Sequence, residues 1–295
     1  MQLVLEFLAL PFVQDVLKIL FILLLFAMPL GTFMTLMERK WSAAVQDRIG
    51  PNRANIGSYR GRGLLHIAAD ALKSIFKEDL IPKGADKFLY TIAPFFSFMS
   101  AVAVFAIIPI AGPIGDFKFQ VTDVEPGLLF IFAITSLGVY GAVLAGASSN
   151  SKFALFGGTR ASAQMISYEV FLGLSLMGLF MVYGSTQVSI IVEGQGEHWF
   201  GLIPKWGVFT QPLGFVVFFT ALIAETKRAP FDAPEGESEI VAGYFVEYSG
   251  MRWSSFMLAE YIAIVGVAAL ITTLCSSVAT KCLGSITGNL HHSGW

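Results

Sequence analysis

Six long runs of apolar residues constrain this chain more than any other feature. A helix needs roughly 20 residues to cross the hydrocarbon core of a bilayer, and runs of about that length cover residues 13–37, 88–111, 128–147, 163–184, 208–226 and 254–275. Because the bilayer core offers no water to the backbone, a continuous apolar run satisfies its own hydrogen bonds as a helix. The sequence therefore predicts an all-α, polytopic membrane helix bundle with six transmembrane helices.

The composition agrees with a membrane location and excludes several classes of protein. Of the 295 residues, 55% are hydrophobic and 14% are charged, whereas soluble domains carry roughly 25% charged residues. The formal net charge of −2 offers no concentrated basic face for a nucleic acid. Cys275 and Cys282 lack the neighbouring ligands that an iron–sulfur cluster or a zinc ion needs. We therefore expect no bound metal and no redox centre in this chain, with electrons carried by other chains.

Positive charge is distributed unequally between the loops. Loops 38–87, 148–162 and 227–253 hold fifteen Lys or Arg residues, whereas the two intervening loops hold only Lys118 and Lys205. Lys and Arg near the ends of membrane helices collect on the cytoplasmic side. We therefore predict that these three loops are cytoplasmic and that the N-terminus lies outside. Without internal repeats or linkers, residues 1–295 are predicted to form a single integral membrane domain.

A further helix is predicted within the first loop. In the segment GLLHIAADALKSIFKE at 63–78, apolar residues recur at helical spacing and most polar residues lie opposite them. The simpler interpretation is an amphipathic helix that lies in the cytoplasmic membrane interface. The alternative is that the same helix lines the mouth of a lateral opening for a lipid-like substrate.

Three glutamates stand within or at the end of the apolar runs. Glu169 lies in the fourth run, Glu225 closes the fifth and Glu260 interrupts the sixth. A charged side chain in the hydrocarbon region costs about 2.5–3.5 kcal/mol on insertion scales. Two interpretations stay open: each glutamate pairs with Arg or Lys of a neighbouring helix and fixes the packing, or it serves the function of the protein.

The loop at 227–253 continues this acidic pattern. It contains Asp232, Glu235, Glu237, Glu239 and Glu247, interleaved with prolines and aromatic residues. A charged run usually marks a solvated surface, but the interleaved apolar residues indicate a loop that folds inward against the bundle. Clustered, desolvated carboxylates raise one another's pKa values and can then exchange protons. The residues by themselves predict a pathway for protons or cations.

Four stretches of the chain resemble a known family. They are MERKWSAAVQDRIGPNRANIG at 37–57, LLHIAADALKSIFKEDLIPK at 64–83, ASSNSKFALFGGTRASAQMISYEVFLGLSLMG at 147–178 and AETKRAPFDAPEGESEIVAGYFVEYSGMRW at 224–253. In order and spacing they resemble the family of the H subunit of bacterial proton-pumping NADH:quinone oxidoreductase, whose mitochondrial counterpart is the first membrane subunit of respiratory complex I. The resemblance runs from about residue 13 to about residue 272.

This resemblance implies a role in quinone chemistry for a chain that transfers no electrons itself. It implies that a quinone chamber or its entrance is lined by Arg39, Asp70, Arg228 and Asp232. It also implies an acidic path from that chamber to the proton-pumping subunits, formed by Glu169, Glu225, Glu235, Glu237, Glu239, Glu247 and Glu260. Quinone would be the substrate, and FMN and the iron–sulfur clusters would be bound by partner subunits.

The same resemblance implies a location and partners. The location would be the bacterial plasma (inner) membrane. The partners would be the peripheral subunits at the quinone site, the antiporter-like membrane subunits and membrane lipid, with no nucleic acid.

Three features depart from the family pattern. Lys227 stands where the family often has an uncharged polar residue, and we expect it to pair with Glu225 or Asp232. His66 replaces a usual Gln in the amphipathic helix. The family normally has eight spans, so the last stretch of the sequence is expected to be a truncated or divergent end.

Alternatives from other classes explain less of the sequence. A secondary transporter also holds acids within membrane helices, but it normally shows paired repeats and broken helices. The related membrane component of a hydrogenase or formate hydrogenlyase shares the fold and couples to a different redox partner. A purely structural anchor leaves seven carboxylates at costly positions without a reason.

Overall fold

Helices make up most of the regular structure in the computed structural model, which describes residues 11–55, 57, 61–110, 120–196, 198–199, 203–236, 239 and 241–276. The α-helices are α1 Pro11–Phe21, α2 Met28–Val45, α3 Leu65–Phe76, α4 Lys87–Ala103, α5 Gly127–Ser148, α6 Lys152–Tyr183, α7 Val188–Gly194, α8 Gly207–Thr210, α9 Pro212–Glu225 and α10 Gly250–Cys275. A π-helical stretch, Ile22–Ala27, joins α1 to α2, and 3-10 turns lie at Gly61–Gly63, Val104–Ala106 and Gly243–Phe245. Strands β1 His198–Trp199 and β2 Ile203–Pro204 form an antiparallel pair.

Five helices in the described ranges are long and apolar enough to cross a membrane: Val13–Val45, Lys87–Ala106, Gly127–Ser148, Lys152–Tyr183 and Gly250–Cys275. The predicted all-α membrane bundle is thereby confirmed. The fifth apolar run differs from the expectation, because α8 and the 14-residue helix α9 replace one continuous span. Pro212, which lacks a backbone N–H and cannot continue α8, begins α9.

Local sequence explains where two of the long helices begin and end. The Asp86 carboxylate accepts hydrogen bonds from the backbone N–H groups of Phe88 and Leu89, at 3.0 and 3.2 Å, and so caps the start of α4. At the end of α6, Gly184 adopts a left-handed conformation with φ of 65°, and its N–H donates to the Phe180 carbonyl.

Small residues let α5 lie close to both of its neighbours. A Cβ added at Gly141 would lie 2.1 Å from the Ser97 hydroxyl of α4, and one added at Gly146 would lie 2.6 Å from the Ala154 carbonyl of α6. Membrane helices associate through such close backbone contacts because lipid supplies no hydrophobic drive between them. Glycines of α5 therefore bring it into close contact with α4 and α6.

Helix α3 confirms the amphipathic element predicted in the first loop. It touches α2 and α10, yet none of its residues is buried, and Leu72, Ile75 and Phe76 are exposed. An apolar face of this kind suits a helix at a membrane interface. Its two interpretations, interface helix and wall of an opening, are compatible with this position.

The loop after α9 folds inward, as its interleaved aromatic residues predict. The rings of Tyr90 and Tyr248 stack with centroids 4.0 Å apart, and the Tyr244 ring packs edge-on against Phe256 at 5.5 Å. All four rings are buried. A Cβ at Gly157 of α6 would lie 2.4 Å from the Tyr244 backbone nitrogen, so the loop rests directly on the α6 backbone.

Candidate functional site

Arg39 and Asp70 face each other across the first loop. Arg39, near the end of α2, donates from Nη1 to Asp70 Oδ2 of α3 at 2.5 Å, and both side chains are about half exposed. His66 Nε2 accepts hydrogen bonds from the backbone N–H groups of Arg53 and Ala54, both at 3.1 Å. The histidine that departs from the family pattern therefore holds the loop against α3.

Three of these residues border a cavity of about 620 Å³, which we call the loop cavity. Its walls include Glu38, Arg39, Arg53, His66 and Tyr261. Most of the residues that line it are polar or charged, and it lies where the first loop meets α2 and α10. Two of its wall residues, Glu38 and Tyr261, also belong to the next part of the site.

Arg228 is the centre of a charged cluster between α2 and α10. Its guanidinium donates to Glu38 Oε1 and contacts Glu260 Oε1, each at 2.9 Å. The Tyr261 hydroxyl donates to the other oxygen of Glu38 at 2.8 Å, and the Tyr261 ring lies 4.8 Å from the guanidinium. Because the Glu260 side chain is only 9% exposed, Arg228 supplies the opposite charge that a buried carboxylate needs.

A second cavity, of about 690 Å³, opens beside this cluster; we call it the outer cavity. Apolar walls come from Met34, Met37 and Trp41. The charged and polar walls are Glu38, Lys227, Arg228, Asp232, Glu235, Glu260 and Tyr261. The predicted quinone residues Arg228 and Asp232 thus line one space together with two of the predicted acids.

A third space, the inner cavity, lies within the bundle and has a volume of about 110 Å³. Its walls are mostly apolar. The polar wall residues are Ser97, Ser100, Thr135, Glu225, Thr226, Lys227, Tyr244 and Glu260. One carboxyl oxygen of Glu225 is buried without a hydrogen-bond partner in the described part of the chain, and the same holds for one oxygen of Glu169. Orphaned polar atoms of this kind indicate a place where water or a transferred proton is accommodated.

Burial changes the acidity of the loop that covers these cavities. Desolvation raises the pKa of Glu235, against the opposing charge of Lys227. It also raises the pKa of the Tyr244 hydroxyl well above its usual value, and Glu235 adds to that effect. Burial opposes the charge on Arg228, but Glu260 and Glu38 outweigh it and raise the pKa of Arg228. Arg228 is therefore a permanent cation, and Glu235 holds its proton to a higher pH than an exposed glutamate.

The remaining predicted acids lie elsewhere. Glu239 is 64% exposed and pairs with Arg160 of α6, and the Glu247 backbone carbonyl accepts a hydrogen bond from the Tyr90 hydroxyl at 2.8 Å. Glu237 lies outside the described residues. Glu169 sits close enough to Glu225 for the two charges to repel each other. The structure thus gathers Glu225, Glu235 and Glu260 around the cavities and leaves Glu239 at the surface.

Sequence reasoning missed several residues of this site. Glu38 and Tyr261 each adjoin a predicted residue, Arg39 and Glu260, and these charged neighbours were the available signal. In the sequence Tyr244 resembles the other apolar residues of the loop, although its hydroxyl contacts both Lys227 and Glu235. No group of three or more His, Cys, Asp or Glu side chains suited to a metal was found among the described residues.

Comparison with known proteins identifies the family. A family model described as NADH dehydrogenase matches residues 17–283. The chain belongs to the NADH dehydrogenase family. Over 256 residues, 86% of this chain and 72% of the relative, it is 47% identical to the H subunit of the NADH-quinone oxidoreductase of Bacillus cereus (strain B4264) and to that of Bacillus thuringiensis (strain Al Hakam). The resemblance drawn from the four sequence stretches is confirmed, and the hydrogenase alternative is not favoured. Within this family, the chain is a multi-pass membrane protein.

Proposed function

We propose that this membrane protein forms the membrane end of a quinone chamber and the acidic link by which quinone reduction drives proton translocation. One observation carries the proposal: Lys227 and Glu260 line both the outer and the inner cavity. The cavity lined by the predicted quinone residues and the cavity lined by the predicted proton-carrying acids therefore share wall residues.

The outer cavity suits the head of a quinone. Ligand sites combine apolar walls with a few polar groups that fix orientation, and here the methionines and Trp41 supply the former while Arg228 and Asp232 supply the latter. Glu38 and Tyr261 continue the wall into the loop cavity, which is also lined by Arg39, the partner of Asp70. A head group would thus pass between two polar spaces that share these residues.

The inner cavity suits protons. Its volume leaves room for several water molecules, and the Ser97, Ser100 and Thr135 hydroxyls can donate and accept hydrogen bonds along the wall. Glu225 and Glu260 stand on the same wall. A charge change at the outer cavity would reach these acids through Glu260, which contacts Arg228 directly.

The remaining parts of the proposal rest on family membership and, for the orientation, on the distribution of Lys and Arg between the loops. We propose that the chain lies in a bacterial inner membrane with its N-terminus outside, and that loops 38–87, 148–162 and 227–253 meet the peripheral subunits. FMN and the iron–sulfur clusters would be bound by those partners, and antiporter-like membrane subunits would receive the coupling. Reporter fusions should read cytoplasmic in these three loops and external in 185–207.

Two substitutions in the assembled complex test this function. Asp232→Asn should lower NADH:quinone activity while oxidation of NADH by an artificial acceptor persists. Glu260→Gln should lower the pH gradient formed in vesicles by about tenfold or more, since a positioned acid is lost. Glu193→Gln, at an exposed glutamate of α7, is the matched control. Wild-type quinone reduction and pumping in both variants, normalised to assembled complex, would refute the proposal.

A further inference from the structure

Lys227 contacts a buried tyrosine in addition to lying among the carboxylates of an acidic loop. It lies two residues after the end of α9 and adopts φ of 54°, a conformation uncommon for residues with a side chain. Its Nζ donates to the Tyr244 hydroxyl at 2.9 Å and lies 4.4 Å from the Tyr244 ring centroid. The Tyr244 hydroxyl in turn donates to Glu235 Oε1 at 3.4 Å. A lysine, a buried tyrosine and a glutamate thus form a connected chain.

The charges around Lys227 come from every element packed on it. The ammonium attracts three carboxylates: Glu225 of α9, Glu235 of the loop and Glu260 of α10. Asp232 and Glu38 line the outer cavity beside it, and Glu169 acts on Glu225. The other cation, Arg228, is already engaged by Glu38 and Glu260. Of the two cations, only Lys227 reaches the wall of the inner cavity.

We propose that Lys227 is a proton-transfer residue that links Glu235, at the outer cavity, to Glu225, at the inner cavity, through the Tyr244 hydroxyl. The inference rests on the proposed function and adds a basic residue to a proton path that otherwise consists of acids.

The proposed step conserves protons and charge. The Lys227 ammonium gives a proton to the Glu225 carboxylate through cavity water, which leaves a neutral amine and a carboxylic acid. The Tyr244 hydroxyl then donates its proton to the amine and receives one from the protonated Glu235 carboxyl. At the end, Lys227 is again an ammonium and Tyr244 again a hydroxyl. Glu225 has become a carboxylic acid and Glu235 a carboxylate, so one proton has moved from Glu235 to Glu225. A tyrosine suits the middle position because its hydroxyl both donates and accepts.

The alternative role for Lys227 is a fixed countercharge. Arginine preserves that role, because its guanidinium stays charged, but it cannot release a proton in a protein. Glutamine preserves neither the positive charge nor the ability to release a proton. Tyr244→Phe keeps the aromatic ring and its contact with the ammonium but removes the link to Glu235, and it changes no charge at all.

The experiment compares four variants in vesicles that carry the assembled complex: Lys227→Arg, Lys227→Gln, Tyr244→Phe and, as the control, Glu193→Gln at an exposed glutamate of α7. The readouts are protons moved per NADH oxidised and their dependence on pH between about 6 and 9. We expect both Lys227 variants to move about tenfold fewer protons per NADH oxidised, Tyr244→Phe to show the same loss, and Glu193→Gln to match the wild type.

Three results would overturn the inference: full pumping by Lys227→Arg, by Lys227→Gln or by Tyr244→Phe. Full pumping by Lys227→Arg would identify a countercharge. If the arginine does not fit and the complex fails to assemble, Tyr244→Phe still decides, since it removes one oxygen atom. Glu260→Gln distinguishes a failure of the proposed function from a failure of this inference. Normal pumping by Glu260→Gln contradicts the acidic path itself. Impaired pumping by Glu260→Gln together with normal pumping by the Lys227 variants contradicts only the role of Lys227.

Discussion

The first loop and the loop after α9 have a similar density of charged residues in the sequence, but they are folded differently. In the first loop, the Arg39–Asp70 pair is about half exposed and α3 buries none of its residues. In the second, Tyr244 and Tyr248 are buried, and the nearby Arg228 pairs with a Glu260 side chain that is 9% exposed. Charge density therefore does not say whether a loop is solvated.

The residues between the charges account for the difference. Around Tyr244 the loop carries Gly243 with φ of 63°, and a Cβ at that position would lie 2.0 Å from the Pro234 carbonyl. Opposite it, Gly157 lets the loop backbone touch α6. The first loop instead places an amphipathic helix beside α2 and α10. Close backbone contact, which needs glycine, is what draws the second loop inward.

The largest expected effect tests that contact. Gly157→Ala would place a Cβ within 2.7 Å of three backbone atoms of Gly243 and Tyr244, and backbone cannot rotate away. Overpacking costs about 1–3 kcal/mol, so we expect less assembled complex and a lower temperature of dissociation in detergent, followed on native gels. Quinone reduction by the remaining complex should also fall, because the loop carries Lys227, Asp232 and Glu235.

Gly173 supplies the matched control on the same helix. A Cβ there meets nothing within 4 Å, so Gly173→Ala should be neutral or slightly stabilising, by up to about 1 kcal/mol from helix propensity. Equal losses in the two variants would mean that α6 tolerates no substitution of glycine, and the role given to the Gly157 contact would be wrong.

An intermediate effect should separate the two ion pairs. Arg228→Gln leaves Glu260 without its main counter-ion, and because the Arg228 side chain is 31% exposed the cost should lie below the roughly 3–5 kcal/mol of a fully buried pair. Arg39→Gln breaks an exposed pair that contributes at most about 1 kcal/mol. Thermal dissociation of the solubilised complex should therefore shift more for Arg228→Gln. A double-mutant cycle with Glu260→Gln should recover a coupling for Arg228, and the reverse ranking would contradict the difference in burial.

The smallest expected effect concerns pH. The pKa of Glu235 is raised by burial, so the folded state favours the protonated form. Its contribution to stability is fully present below the unfolded pKa and is lost as the pH rises through the folded pKa. Glu235→Gln, which mimics the protonated form, should stabilise the complex more at pH 8 than at pH 5. A shift of the dissociation temperature that is the same at both pH values would show that Glu235 is not desolvated.

The sequence by itself determined the membrane class, the helices and the family. Apolar length decides which segments cross a bilayer, because unpaired backbone in lipid is costly, and the four stretches at 37–57, 64–83, 147–178 and 224–253 carried the resemblance to the family. The sequence also singled out Glu225 and Glu260, because a charged side chain within or at the end of an apolar run is energetically unfavourable. The one span that differed, at 208–226, contains a proline whose consequence a hydropathy pattern does not register.

Only the tertiary structure decided which charged residues meet. Glu38 and Arg228 are 190 positions apart in sequence, and Tyr261 is 223 positions from Glu38, so no local pattern brings them together. Likewise, Glu235 and Glu239 look alike in the sequence, yet one lines a cavity and the other pairs with Arg160 at the surface. Burial and pairing depend on how α2, α6 and α10 pack around the loop, because desolvation and Coulomb attraction are set by distance in space.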